Sequence, residues 1–410
     1  MMSLFETGID GVKGVVIDKG FKCTICQNEN QQLFHTYYSH HFKQEITYCR
    51  NCIMMTWSTT ETYYQLTEIP SLPENLECHL DFELTEQQQY ASEMIDEAVK
   101  TGGKRLLHAV TGAGKTEMIL KGIQSARSIG MNVALVSPRV DVVKELYLRM
   151  TSYFTADIDV LYEGHPLTYN STFVICTVQQ LYRYFHHFSL IVVDEVDAFP
   201  LPMDDRLMSC IHRAATPVST IIYLTATPPK RLIQQFNPHD IITLPARYHG
   251  RPLPVPSFKY LSIKTVLKGG LSARLQQRTK GTLLLFFNNI REMETAGEVY
   301  KNFNPVTVYA DDALRHEKVD QIRAGHHLIV FTTSILERGF TKAGLDVWVI
   351  DAGSFTSECL IQMAGRVDRK RDPYKGEVVF FHNGVSSSMQ KAVKEIQRMN
   401  HAAVSLGWIK

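Results

Sequence analysis

The chain has 410 residues, 44% of them hydrophobic and 21% charged, so it is neither a disordered chain, a collagen-like repeat nor a small disulfide scaffold, and two or three domains are expected. Its formal charge of +1 conceals an uneven spread: residues 1–70 hold 5 Lys and Arg against 7 Asp and Glu, residues 71–250 hold 15 against 20, and residues 251–410 hold 23 against 15. No apolar run nears the ~18 residues of a membrane span, and the start MMSLFETGIDG has neither the basic residues nor the apolar block of a signal peptide, so the expected location is the cytosol.

In chain order, residues 1–70 come first and contain two Cys-x-x-Cys pairs, Cys23 with Cys26 and Cys49 with Cys52, separated by 22 residues. Two short knuckles can aim four thiolates at one point, which is the donor set of a structural zinc site. A redox pair or buried thiols is the competing reading, and a second pair within thirty residues weighs against it. The intervening segment is expected to form a hairpin, with His35, His40 and His41 on its surface rather than among the ligands. Cys78, Cys176, Cys210 and Cys359 lack partners at useful spacing and read as small core residues.

A polar, proline-punctuated stretch from Glu68 to Glu83 reads as a linker. Beyond it, β-branched runs alternate with amphipathic stretches, the pattern of a parallel sheet covered by helices. Strands are predicted over 106–110, 132–137, 173–177, 190–194 and 220–225. A second interruption spans 238–256. Strands are then predicted over 282–287, 306–309, 328–332, 347–351 and 377–381. The expected organisation is a zinc module (1–70), a first α/β lobe (71–250) and a second (251–410). The basic final lobe favours a polyanion, against the alternative of a solvated basic face.

At the end of the first strand of the first lobe lie Ala109, Val110, Thr111, Gly112, Ala113, Gly114, Lys115 and Thr116. Glycines there let backbone N–H groups close around phosphate oxygens, Lys115 adds a point charge, and Thr116 offers a hydroxyl to Mg2+. Ala109 stands where the strict pattern has Gly. Residues 117–126 are expected to continue the following helix. Farther on, the apolar run 191–193 ends in Asp194 and Glu195, placing one carboxylate toward Mg2+ and the next toward an attacking water. Together the two elements point to a nucleotide hydrolase rather than a passive binder.

The ordered series of motifs resembles superfamily 2 helicases and translocases over about residues 84–382. Leu84-Thr85-Glu86-Gln87 resembles the adenine-contacting element, with Gln87 as the contact. Ser137-Pro138-Arg139 and the segment Thr177 to Gln180 resemble nucleic-acid-contacting motifs, and Thr225-Ala226-Thr227 the motif coupling hydrolysis to lobe movement. In the second lobe, Phe286 to Asn289, Thr332 to Gly339 and Gln362 to Arg369 match the later motifs. The acidic box reads Asp-Glu-Val-Asp, unlike the large RNA-helicase branches. More narrowly, the four-cysteine module with DEVDAFPL (194–201), SPRVDVVKEL (137–146) and ILERGFT (335–341) resembles the ComFA family, late-competence ATPases of Gram-positive bacteria.

That resemblance implies two tandem RecA-like lobes and a DNA-dependent ATPase driving single-stranded transforming DNA through a membrane channel, in company with other competence proteins. ATP, Mg2+ and Zn2+ are the implied cofactors. The implied roles place ATP in the cleft between lobes, with Lys115, Asp194 and Glu195 on one wall and Gln362, Arg366 and Arg369 on the other, the arginines at i and i+3 on one helical face. Lys370 and Arg371 read instead as surface charge. Gly339 is assigned to the nucleotide, and Arg139, Thr177, Asn288, Asn289, Thr332 and Thr333 to DNA. A repair or replication-restart helicase and a nucleotide-switched zinc scaffold stay open as alternatives, as does a peripheral position at the inner face of the cell membrane.

Overall fold

Short runs of Val, Ile and Leu that are apolar on both faces are what a sheet covered on both sides requires, and the chain builds two such sheets. The computed structural model describes residues 2–5, 12–53, 55–66, 72–166, 172–278, 280–369 and 373–409; Lys370 and Arg371 fall outside that set. The chain divides into two units, residues 1–108 with 116–242, and residues 109–115 with 243–410.

The N-terminal module is built of short antiparallel strands: β1 (Met2–Phe5), β2 (Val12–Lys13), β3 (Val15–Ile17), β4 (Phe21–Cys23), β5 (Phe34–Ser39), β6 (Gln44–Cys49) and β7 (Tyr63–Leu66). β5 and β6 form the expected hairpin between the cysteine pairs, in the register Phe34 opposite Cys49 through Ser39 opposite Gln44. His35, His40 and His41 are exposed on it.

The first sheet contains β8 (Gly103–Ala109), β9 (Val133–Ser137), β10 (Ile158–Leu161), β11 (Phe173–Thr177), β12 (Phe188–Val193), β13 (Ala215–Thr225) and β14 (Ile241–Leu244). Their order is β10-β11-β9-β12-β13-β8-β14, and the pairings from β10 through to β8 are parallel. The second sheet contains β15 (Ser257–Tyr260), β16 (Thr282–Phe286), β17 (Val306–Val308), β18 (Ile329–Thr332), β19 (Leu345–Val349) and β20 (Val378–His382), all parallel, in the order β15-β20-β19-β16-β18-β17. Residues such as Val136, Ile191 and Tyr223 fill the core of the first sheet, and Leu285, Phe331 and Phe381 that of the second.

In the two parallel sheets, three strands depart from the expectation. β10, β14 and β15 were not predicted, and β14 lies inside the stretch 238–256 read as an interruption. The described part of the linker also differs, since residues 72–79 are tied to the first unit. Glu74 donates its N–H to the Arg127 carbonyl (2.9 Å), Gln124 Nε2 donates to the Leu76 carbonyl (2.9 Å), and His79 donates to that of Tyr153 (2.8 Å). The buried Arg127 guanidinium holds the Glu74 carboxylate at 3.0 Å. A proline-rich extended segment leaves main-chain groups unpaired, and helix ends supply partners for them. Among the lone cysteines, Cys176 and Cys210 are buried as expected, whereas Cys78 and Cys359 are only half-buried.

Candidate functional site

The loop after β8 turns at Gly112 (φ 81°) and Gly114 (φ 83°), conformations that side-chain-bearing residues rarely adopt. Ala109, Val110 and Ala113 are buried around it. Lys115 opens the helix Lys115–Met118, half-buried, with Nζ 3.4 Å from the Ala109 carbonyl. The expected continuous helix through residue 126 is interrupted at Ile119 and resumes over Leu120–Ser128; Ile119 keeps helical dihedrals, so the direction carries on. The loop residues 109–115 group with the second unit, where Thr111 packs so closely on Gly365 that a Cβ there would lie 2.0 Å from Thr111 Oγ1. Gly365 is required by that approach.

Thr116 is held in a network that sequence reading missed. Its Oγ1 accepts a hydrogen bond from Arg149 Nη1 at 2.9 Å, Arg149 Nη2 pairs with Glu117, and the Tyr153 hydroxyl donates to Glu117 Oε1 at 2.9 Å. Burial works against the charge on Arg149, but Glu117, Tyr153 and Glu145 together outweigh it and hold the guanidinium above its ordinary pKa. The sequence assigned no role to Arg149. Gln87 is buried in the helix Glu86–Thr101, whose start is fixed by the Thr85 N–H donating to Gln88 Oε1 at 2.9 Å.

Asp194 directly follows β12, is 9% exposed and accepts the Glu195 N–H on Oδ1 at 2.9 Å. Glu195 takes a left-handed backbone (φ 52°), a sharp turn that redirects the chain straight after the strand. Asp197, to which the sequence assigned no role, accepts hydrogen bonds from Thr225 Oγ1 (2.7 Å) and Thr227 Oγ1 (2.5 Å). The acidic box and the Thr-Ala-Thr segment are thereby one bonded unit. Parallel pairing puts the phosphate loop after β8 and Asp194–Glu195 after β12 at the same edge of one sheet.

In the second unit Gln362 is buried on the helix Ser357–Ala364. That helix stops before the arginines, so the expected shared helical face does not exist; Gly365 closes it, and Asp368 (φ 53°) turns the chain away. Arg366 is 3% exposed, donating from Nε to the Glu337 carbonyl (2.8 Å) and from Nη1 to that of Phe340 (2.5 Å). Arg369 reaches the same Phe340 carbonyl (3.3 Å) and lays its aliphatic chain along Gly112. Gly339 sits between, with φ 65°. A third arginine, Arg247, is fully buried and donates to the carbonyls of Val367 (2.7 Å), Asp368 (2.8 Å) and Gly365 (3.2 Å). Burial pushes its pKa down to about 10, which leaves it charged at neutral pH. It lies in the stretch read as an interruption, where no pattern singled it out.

Of the residues assigned to DNA, Asn288, Asn289 and Thr333 come together with Arg291 and Ser334 around an open cavity of 770 Å³. Asn289 caps the helix Ile290–Val299 through the Glu292 N–H (2.9 Å). Thr332 is fully buried and its hydroxyl donates to the Val308 carbonyl (2.9 Å), so here it braces a strand end. In the first unit, Thr177 is 4% exposed, while Arg139 stands before the helix Val140–Tyr153 with Asp141 at 3.7 Å.

The sulfurs of Cys23, Cys26, Cys49 and Cys52 lie within 4.8 Å of one another, all buried. Asn51 Nδ2 donates to Cys26 Sγ (3.4 Å) and Asn28 Nδ2 to Cys49 Sγ (3.7 Å). Four converging thiols with N–H donors to sulfur form a donor set that fits a tetrahedral zinc ion. The cluster is anchored to the first unit: Met55, Tyr182 and Phe185 pack on it, and Arg206 Nη1 donates to the Asn51 carbonyl at 2.5 Å.

Residues 81–230 match the family model "Type III restriction enzyme, res subunit" and residues 263–371 "Helicase conserved C-terminal domain". The structure of Saccharomyces cerevisiae Dbp5 bound to RNA and ADP BeF3 shares the fold at a TM-score of 0.57, with 13% identity, over 77% of this chain and 91% of that one. Two parallel-sheet units with this loop and acidic box define a superfamily 2 helicase-like ATPase. Residues 4–64 match "Competence protein ComFA N-terminal domain". The chain is 34% identical to Competence protein ComFA of Bacillus subtilis over 94% of its length and 87% of that protein's, and 35% identical to that of Streptococcus pneumoniae over 87% and 86%. It belongs to the ComFA family. Among the described residues, no helix is long and apolar enough to cross a membrane.

Proposed function

We propose that the chain is an ATP-driven motor on single-stranded DNA that serves DNA uptake during competence, delivering the strand from a channel in the membrane. The observation that supports this reading is the common edge of the first sheet, from which Lys115–Thr116 and Asp194–Glu195 both emerge. Lys115 compensates phosphate charge, and Glu195 orients the attacking water. Thr116 and Asp194 would hold Mg2+, which when bound offsets charge on the phosphate oxygens. Gln87 contacts the base. Arg369, alongside Gly112, meets charge developing on the γ-phosphate, while Arg366 shapes the loop that carries Gly339. Asp197 transmits the state of the acidic box to Thr225 and Thr227, and so to movement.

Each unit supplies its own grip on the DNA backbone: Arg139 in the first, and Asn288 to Arg291 with Thr333 in the second. Backbone contacts carry no sequence information, as a motor on arbitrary DNA requires. The test is the ATPase rate of the purified chain with single-stranded DNA, duplex DNA and RNA. Single-stranded DNA is expected to stimulate most, and Arg139→Ala to weaken that stimulation on every sequence alike while basal turnover survives. Equal rates with and without polynucleotide would refute the motor. A gene deletion that impairs DNA-damage survival but not transformation would select the repair reading.

In the same reading, Cys23, Cys26, Cys49 and Cys52 hold one Zn2+ as a closed structural site. Cys49→Ser is expected to release one metal equivalent and loosen the module, because so small a core relies on the ion. Elemental analysis finding no zinc in protein purified without chelator would count against the site.

A further inference from the structure

The four-cysteine module carries a surface that neither the metal nor the nucleotide uses. Tyr48 bridges to Thr59, and Cys49 N–H to the Ser58 carbonyl (3.0 Å) and Thr60 N–H to the Thr47 carbonyl (2.9 Å) extend the β5–β6 hairpin by a third strand-like segment. On one face the Tyr48 ring stacks on Trp57 (centroids 5.0 Å, planes at 15°) and meets His35 (5.6 Å) and Tyr37 (6.0 Å) edge-on. Trp57 is 45% exposed and Tyr37 36%. The opposite face, with Phe34 and Cys49, belongs to the cluster that packs on Tyr182 and Phe185. On the ring-bearing face Ile46 and Ser39 are buried, whereas His35, Tyr37 and Trp57 stay exposed to solvent.

Its charge narrows what it can receive. The hairpin positions alternating onto this face, 35, 37, 39, 44, 46 and 48, include no carboxylate, and Glu45 sits opposite Tyr38 on the other face. Its ends are basic or imidazole-bearing, with Arg50 just beyond β6 and His40, His41 and Lys43 at the turn, all exposed. Rings on a carboxylate-free face whose hairpin has basic ends suit planar aromatic groups on a polyanion. We propose that this face is a stacking platform for unpaired bases of single-stranded DNA, with Trp57 and Tyr37 as the principal rings. It rests on the motor reading above and adds to it a site outside both α/β units that holds bases instead of phosphates.

The test titrates the full chain against a labelled oligothymidylate of about 20 nucleotides, longer than one stacking site, and an abasic oligomer of equal length. Trp57→Ala with Tyr37→Ala is expected to weaken oligothymidylate binding about tenfold for each ring lost. Abasic binding and the salt dependence of affinity should not change, because no phosphate contact is removed. Trp57→Phe, which keeps a ring, should bind nearly as wild type, and an unchanged unfolding midpoint and metal content would show that the module is intact. Wild-type affinity in the double variant overturns the platform and gives the face to a protein partner. So does an equal loss on both oligomers with a shallower salt slope. If the wild type binds neither oligomer, the motor reading fails and the platform with it; in the other two cases only the platform falls.

Discussion

The two units hold their charged groups near the phosphate loop by different chemistry. In the first unit, acidic side chains meet donors on other side chains: Glu117 with Arg149 and Tyr153, and Asp197 with Thr225 and Thr227. In the second, guanidinium groups reach main-chain carbonyls: Arg247 to residues 365, 367 and 368, and Arg366 to residues 337 and 340. A side-chain partner can be neutralised by substitution, whereas a carbonyl stays whatever residue carries it. The first arrangement can thus be retuned by paired changes, and the second fixes the path of the chain around Gly365 and Gly339.

The largest effect is expected at the loop itself. Lys115→Ala should lower hydrolysis by at least about 100-fold, the scale of removing one charge-stabilising donor, with little loss of stability, since Lys115 is only half-buried at the first position of its helix and Ala keeps the helix. Near-normal turnover of the purified variant would remove the loop from the site. Next, Arg247→Met should cost about 3 kcal/mol in urea unfolding, because three buried carbonyls lose their donors together. Arg149→Met should cost less, about 2 kcal/mol, as its side chain is a third exposed. The comparison predicts that adding Glu117→Gln returns at least half of that loss, by discharging the stranded carboxylate. A double variant no better than the single would show that the two units do not differ in this way.

The smallest effect concerns acid sensitivity of the first unit. Burial pushes His187 down from 6.5 to about 4. Below pH 6.5 the unfolded chain gains a proton that the folded chain refuses, so the stability it contributes is full above 6.5 and lost as pH falls toward about 4. Between pH 7.5 and 5.5 the expected loss is about 1 kcal/mol. His187→Phe, which keeps ring contacts with Tyr184 and Phe188, should flatten that limb of the stability curve; an unchanged slope would place the acid sensitivity elsewhere.

How much was legible in the sequence follows the range of each signal. The central strands announce themselves, because a strand buried on both faces must be a continuous apolar run such as Leu190, Ile191, Val192 and Val193. The four-residue strands β10, β14 and β15 do not, since a short edge strand is defined by the partner it finds. The phosphate loop, the acidic pair and the cysteine knuckles were equally readable: each depends on residue types at fixed local spacing. The end of the helix at Ala364, which takes Arg366 and Arg369 off a common face, was written only weakly, in Gly365.

The sequence by itself thus determined which chemical groups the chain carries and in which strand-loop-helix contexts, because backbone periodicity and loop closure act over a few residues. Only the tertiary structure decided which charged groups meet. Arg247 and Val367 lie 120 residues apart, Arg149 and Glu117 32 apart, and Asp197 and Thr227 30 apart. No local spacing encodes such pairs. They are selected when the sheets bury them together, where a polar group without a partner is too costly to leave.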